Sequence, residues 1–246
     1  MSHLRILRST AKRVLLQLRH DPRTVALMLV APVMLTGLLA WLPVDQPGAF
    51  DRWGAILLGI FPILVMFIVT SIATLRERTG GTLERLMTTP MAKFDSLGGY
   101  GLAFGAAAVV QAVVVSGFAF GLFGLTIAAP VAAVLLIAIL DAPLGTSLGL
   151  FVSAFARTEF QAVQFLPALI LPQLLLCGIV APTTALPGPL EGVAAVLALT
   201  YAVHAMQELT VNPSVTSVVR RDIAVLGGFI LAFVVAGAAT LNRRTE

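Results

Sequence analysis

Charge is what this chain has least of. Only 11% of its 246 residues are Asp, Glu, Lys or Arg, against about 25% in soluble domains, so a solvated globular surface cannot be built from it. Cysteine is almost absent. Cys177 stands alone, which excludes a disulfide framework or a thiolate metal site within one chain. Lysine occurs only as Lys12 and Lys93. No G-x-x-x-x-G-K-[ST] stretch exists, and Gly80-Gly81-Thr82-Leu83 lacks the lysine, so ATP is not held in the P-loop manner. Metal-ligand clusters, nucleophile–base arrangements and carboxylate pairs at useful spacing are missing as well, which makes a membrane enzyme the weakest of the function classes.

What remains is apolar. Hydrophobic residues make up 58% of the chain and the mean hydropathy is +0.97. Several apolar runs reach about 20 residues, the length of a bilayer crossing. The runs are continuous rather than alternating, which excludes a β-barrel. The expected fold is an all-α membrane protein, with residues 1–246 as a single transmembrane domain, since no polar stretch is long enough for a core of its own. The formal charge of +4 and pI near 10.0 reflect loop topology rather than nucleic-acid binding. Arginine far outnumbers lysine, which with the many Ala, Gly and Val residues hints at a bacterial source of high G+C content.

Residues 3–20 read as an amphipathic helix lying in the membrane interface. Leu4, Leu7, Ala11, Val14, Leu15 and Leu18 fall on one face, and Arg5, Arg8, Lys12 and Arg19 on the other. Basic residues spread through the first 23 positions do not form a cleavable signal peptide. Asp21-Pro22 then turns the chain. Six spans are expected, at about 24–42, 53–75, 98–126, 130–156, 160–181 and 222–241. Pro32 is expected to kink the first, and Asp141-Ala-Pro143 to split the fourth. Residues 182–221 are proline-rich, short and interrupted, which fits half-helices dipping into the outer leaflet better than a crossing. This arrangement gathers Arg5, Arg8, Lys12, Arg13, Arg19, Arg23, Arg76, Arg78, Arg85, Lys93, Arg157, Arg243 and Arg244 on one side. Arg52, Arg220 and Arg221 are left on the other. By the positive-inside rule both termini are cytoplasmic, in a bacterial inner membrane.

Between spans two and three lies a charged island, Glu77 to Pro90, reading E-R-T-G-G-T-L-E-R-L-M-T-T-P. On a helix beginning near Gly81-Thr82, the side chains of Leu83, Leu86 and Met87 share one face. Thr82 is expected to cap that helix, with Glu84 or Glu77 placed favourably for its dipole. Such a stubby charged helix, within a segment at about 76–95, suits docking into a groove of a soluble partner, although a plain polar loop is the alternative. The island resembles the signature of the ABC-2 family of transporter permeases, E-x-x-x-G-T-L-E-x-L-x-x-x-P, and is most similar to the small permeases of daunorubicin-type exporters. The family's interfacial N-terminal helix, long third span and external half-helices recur. Its Pro-x-x-Tyr start to the second half-helix does not, being replaced by Leu199-Thr200-Tyr201.

The resemblance implies a permease subunit without its own ATPase. Two permease chains, identical or similar, would sit on two copies of a cytoplasmic ATPase that binds ATP and Mg²⁺. It implies that Glu77, Gly81, Thr82, Leu83, Glu84, Arg85, Leu86 and Pro90 couple to that ATPase. It also implies that spans two and five line the substrate path, which makes Phe61, Met66, Phe67, Phe165, Leu169 and Gln173 the pocket candidates. The expected cargo is a hydrophobic drug, antibiotic or lipid-like molecule moved outwards. Asp141 is the one acid deep in a span, where an acid costs about 2.5–3.5 kcal/mol on insertion scales. It is read either as a contact for cationic cargo or a proton carrier, or as a structural carboxyl bonded to a neighbour such as Gln111. The pairs Gly101/Gly105, Gly117/Gly121 and Gly145/Gly149 are read as close helix contacts within the chain. His204 is read as an exposed polar anchor or a weak pH sensor. Two other function classes stay open. A proton-driven transporter built on Asp141 predicts inverted repeats, and the halves show no such similarity. A non-transporting membrane partner of an ATPase differs only in moving no cargo.

Overall fold

The structure, a computed structural model, describes residues 3–42, 48–80 and 93–241. Among these it has nine helices and no strand. They are α1 (His3–Arg19), α2 (Pro22–Trp41), α3 (Ala49–Thr79), α4 (Lys93–Gly121), α5 (Val131–Ser153), α6 (Glu159–Leu176), α7 (Gly188–Ala195), α8 (Ala198–Val211) and α9 (Ser217–Leu241). The protein is an all-α membrane protein. Helices α2 to α6 are each long and apolar enough to cross a bilayer. In α9 the charges Arg220, Arg221 and Asp222 fall near the start, and Ile223 to Leu241 carries none.

Some boundaries differ from expectation for local reasons. The third span stops at Gly121 instead of 126, because Gly124 takes φ +71° and turns the chain. The fifth stops at Leu176 instead of 181, where Gly178 takes φ +93°. The fourth is not split. Helix α5 runs unbroken through Asp141 and Pro143, as membrane helices tolerate when packed against neighbours.

Helices α7 and α8 meet at 89°. The first residues of α8 touch Gln173, one turn from the end of α6. Its last residues accept from the backbone N–H groups of Ala128 and Ala129, just ahead of α5. Both contacts lie at the same end of the bundle, so the bent pair is tied there at both ends of α8. Near the end of α8, Met206 packs over Gly59.

Helix α3 is the centre, with 72% of its apolar window buried, against 17% for α2 and 11% for α6. It packs tightly on α5, because glycine lets the two backbones meet. A Cβ on Gly145 would run into the Ile63 carbonyl, and one on Gly149 would lie 2.7 Å from the Phe67 carbonyl oxygen. Among the described residues the other two glycine pairs make no such contact. A Cβ at Gly101, Gly105, Gly117 or Gly121 would meet nothing within 4 Å. Helix α1 does not merely float in the interface. It rests across α4, with Thr10 against Gly99, Val14 buried, and Arg13 donating to the Tyr100 hydroxyl at 2.9 Å.

Candidate functional site

Of the expected coupling residues, Gly81, Thr82, Leu83, Glu84, Arg85, Leu86 and Pro90 lie outside the described residues, and Glu77 falls in the last turns of α3 with its side chain likewise outside. The structure does describe the helix ends around the island. Arg76, one turn before the end of α3, donates through Nε and Nη2 to the two carboxylate oxygens of Glu159, at 2.7 and 3.0 Å. Glu159 is the first residue of α6, where an acid favours the helix dipole. Thr158 caps that helix by accepting from the Gln161 N–H at 3.1 Å, and Gln161 reaches back to the Arg157 N–H at 2.8 Å. The exchange is of capping-box kind.

On its other side Arg76 stands 3.9 Å from Asp21. Asp21 is the N-cap of α2 and accepts from both the N–H and the hydroxyl of Thr24. Those hydrogen bonds hold its carboxyl below the usual range, with Arg76 adding to the effect. One arginine thus joins the ends of three spans. Beneath it Leu75 packs on Ala156 and Ala162. The ion pair is about half exposed, so it contributes less than about 1 kcal/mol to stability. Its weight is geometric, since a bidentate fork fixes direction as well as distance. Sequence reading counts Arg76 only as a topological charge and gives Glu159 no role, because nothing local links residues 83 apart.

Among the described residues the expected path residues fall into separate packing environments. At about 100° per residue, Phe61, Met66 and Phe67 point three ways from α3. Phe61 lines a groove beside α2. Met66 is fully buried with Val14, Met28, Tyr100 and Phe104. Phe67 is fully buried with Leu144, Leu148 and Ile170. Phe165 and Leu169 pack half-buried against that last cluster. Gln173 is committed to structure. Its Nε2 donates to the Leu169 carbonyl at 3.0 Å, and its Oε1 accepts from the Leu199 N–H at 3.3 Å, supplying the start of α8 with the partner its own cap lacks.

Asp141 is fully buried at the depth of Gly59 and Met206. Ala108 clusters with Ala142, and Ala112 with Ala138, so Gln111 falls at the same level of the α4–α5 contact. Yet neither the Asp141 carboxyl nor the Gln111 amide has a hydrogen-bond partner among the described residues. The expected Asp141–Gln111 bond is absent, and the acid lies fully buried beside Gly59 and Met206. Asp141→Asn removes no bond and lessens the burden of a buried acid. Its thermal unfolding midpoint in detergent is therefore expected to hold or rise, and a clear fall would reveal a partner.

At the opposite end, two hydroxyls build the α7–α8 corner that the altered Leu199-Thr200-Tyr201 start calls into question. Thr200 donates to the Ala194 carbonyl and Tyr201 to the Ala195 carbonyl, each at 2.8 Å. Both carbonyls lie at the end of α7, where helices leave carbonyls without partners. Tyr201→Phe is expected to destabilise this corner by about 1 kcal/mol, read as faster amide exchange in residues 190–200 with the spans unchanged. His204 is no lone anchor. Its Nδ1 lies 2.7 Å from the fully buried Asp222, whose other oxygen accepts from Arg221 at 2.9 Å.

Helix α6 leaves a continuous apolar face uncovered. Phe160, Val163, Leu171 and Leu175 are exposed by 74%, 38%, 54% and 62%.

Comparison with known proteins bears on these features together. The sequence profile of the family described as ABC-2 type transporter matches residues 6–210. The chain is also similar to ABC transporter G family member 20 of Dictyostelium discoideum, with 29% identity over 141 residues, which is 57% of this chain and 19% of that protein. The chain thus spans about a fifth of the length of that relative.

Proposed function

Because the chain belongs to the ABC-2 type transporter family of membrane proteins, we propose that it is the permease subunit of an ATP-driven exporter. The observation that carries this reading is the match across residues 6–210, which includes the charged island between α3 and α4. In this reading the ends of α2, α3 and α6 near Arg76 face the cytoplasm. The island docks on a separate ATPase chain, present in two copies, which binds ATP and Mg²⁺. Glu84 and the residues around it form the contact. Movement of the island reaches α3 directly and α6 through Arg76–Glu159.

A second permease chain, identical or similar, covers the exposed face of α6. The interior offers apolar surface with few polar groups, which suits a hydrophobic or amphiphilic cargo. Reconstitution of the chain with its ATPase in lipid vesicles tests the proposal. ATP-dependent accumulation of a hydrophobic fluorescent dye is expected. Movement driven by a proton gradient without ATP would contradict it.

A further inference from the structure

We propose that the groove between α2 and α3 is a binding site for one anionic phospholipid, with an acyl chain in the groove and the phosphate against the basic face of α1. The groove has a volume of about 530 Å³ and is walled by α2 and α3, with Tyr100 and Phe104 of α4 behind them. Its polar lining is Gln17, Asp21, Thr24 and Arg76 with the Tyr100 hydroxyl that accepts from Arg13, and the rest is apolar. From Thr24 to Leu35 it follows α2 for about 16 Å at 1.5 Å per residue. That is about half of a bilayer's hydrocarbon thickness of roughly 30 Å, the depth of a single leaflet. Leu27 and Leu35 form its lip and are 69% and 50% exposed, so it opens sideways to the bilayer.

At the mouth Asp21 stands 3.9 Å from Arg76, and the cations in excess of that pair stand on α1. Gln17 also borders a shallow basin on α1 lined by Lys12, Arg13 and His20. Gln17 is therefore shared between an acyl-length apolar groove and a basic patch at its interfacial end. A bilayer component with one tail in the first and an anionic group at the second satisfies both. Basic residues at a membrane surface attract anionic lipids. The inference stands apart from the transport reading, because it needs neither an ATPase nor cargo.

The test is native mass spectrometry of the full chain in detergent with added dioleoyl-phosphatidylglycerol or dioleoyl-phosphatidylcholine. One phosphatidylglycerol per chain is expected to be retained where phosphatidylcholine is lost. Lys12→Gln, on the exposed face of α1, with His20→Gln, exposed just past its end, is expected to weaken retention at least about fivefold. Ala31→Phe, which fills the groove, is expected to abolish it. Equal retention of the two lipids, insensitive to both variants, would overturn the proposal. So would displacement by glycerol phosphate as effectively as by whole lipid, which would leave the groove without a role. A change of Ala31→Phe in the dimer fraction alone, with retention intact, would assign the groove to a second copy of the chain.

Discussion

Replacing Gly145 by leucine is expected to destabilise the bundle by about 3 kcal/mol, the upper end for forcing atoms into a packed interior. The reason lies in what the new side chain meets. A Cβ at Gly145 is directed at the backbone of α3 around Ile63, and four residues on, Gly149 sits against the Phe67 carbonyl. A backbone carbonyl cannot rotate aside as a side chain can, so α5 would have to leave α3. That contact anchors the main cluster, in which Ile63, Phe67, Leu144 and Leu148 are all buried. Thermal unfolding in detergent measures the effect, with Gly105→Leu as the matched control. The Gly105 variant is expected to keep its midpoint, since a Cβ there meets nothing within 4 Å. Equal losses in the two variants would mean that α3 and α5 do not cross as described.

Arg76→Glu is expected to lower transport at least tenfold while ATP hydrolysis by the assembled complex continues. Stability should change by less than about 1 kcal/mol, because the pair with Glu159 is half exposed. What is lost is direction. The fork from Nε and Nη2 to both Glu159 oxygens is the described polar link between the helix entering the island and α6. With two acids in its place the ends of α3 and α6 repel. The double variant Arg76→Glu with Glu159→Arg is expected to recover much of the transport. Hydrolysis and transport falling together in Arg76→Glu, with no recovery in the double variant, would assign Arg76 to assembly instead of coupling.

The spans were legible because a membrane crossing is a length of apolar chain, and length is written in the sequence. Helices α2 to α6 emerge from that alone. The break into two short helices, α7 and α8, was legible too, from the prolines around Leu190 to Met206. Glycine spacing was only half informative. The pattern at Gly101/Gly105 matches that at Gly145/Gly149, but spacing does not say whether another backbone lies opposite. Asp141 shows the same limit, since an acid in a span signals a special place without naming its surroundings. The Arg76–Glu159 link was illegible because a contact across 83 residues depends on how α3 and α6 pack. The sequence marks spans two and five for the path but not their faces, and Met66 and Phe67, about 100° apart on α3, point into separate clusters. The capping of α8 by Gln173 was hidden for a similar reason, because the missing cap at Leu197 is filled from another helix.

The central claim is that this chain works through a separate ATPase docked at the island. Affinity purification of the tagged chain from its own host in mild detergent, beside the Glu84→Arg variant, tests it most directly. The account predicts that an ATPase chain bearing a Walker motif co-purifies with the parent protein and is lost from the variant, with both permeases recovered folded. An ATPase retained equally by the variant would contradict the docking at Glu84, and a parent protein that moves cargo with no ATPase bound would contradict the account as a whole.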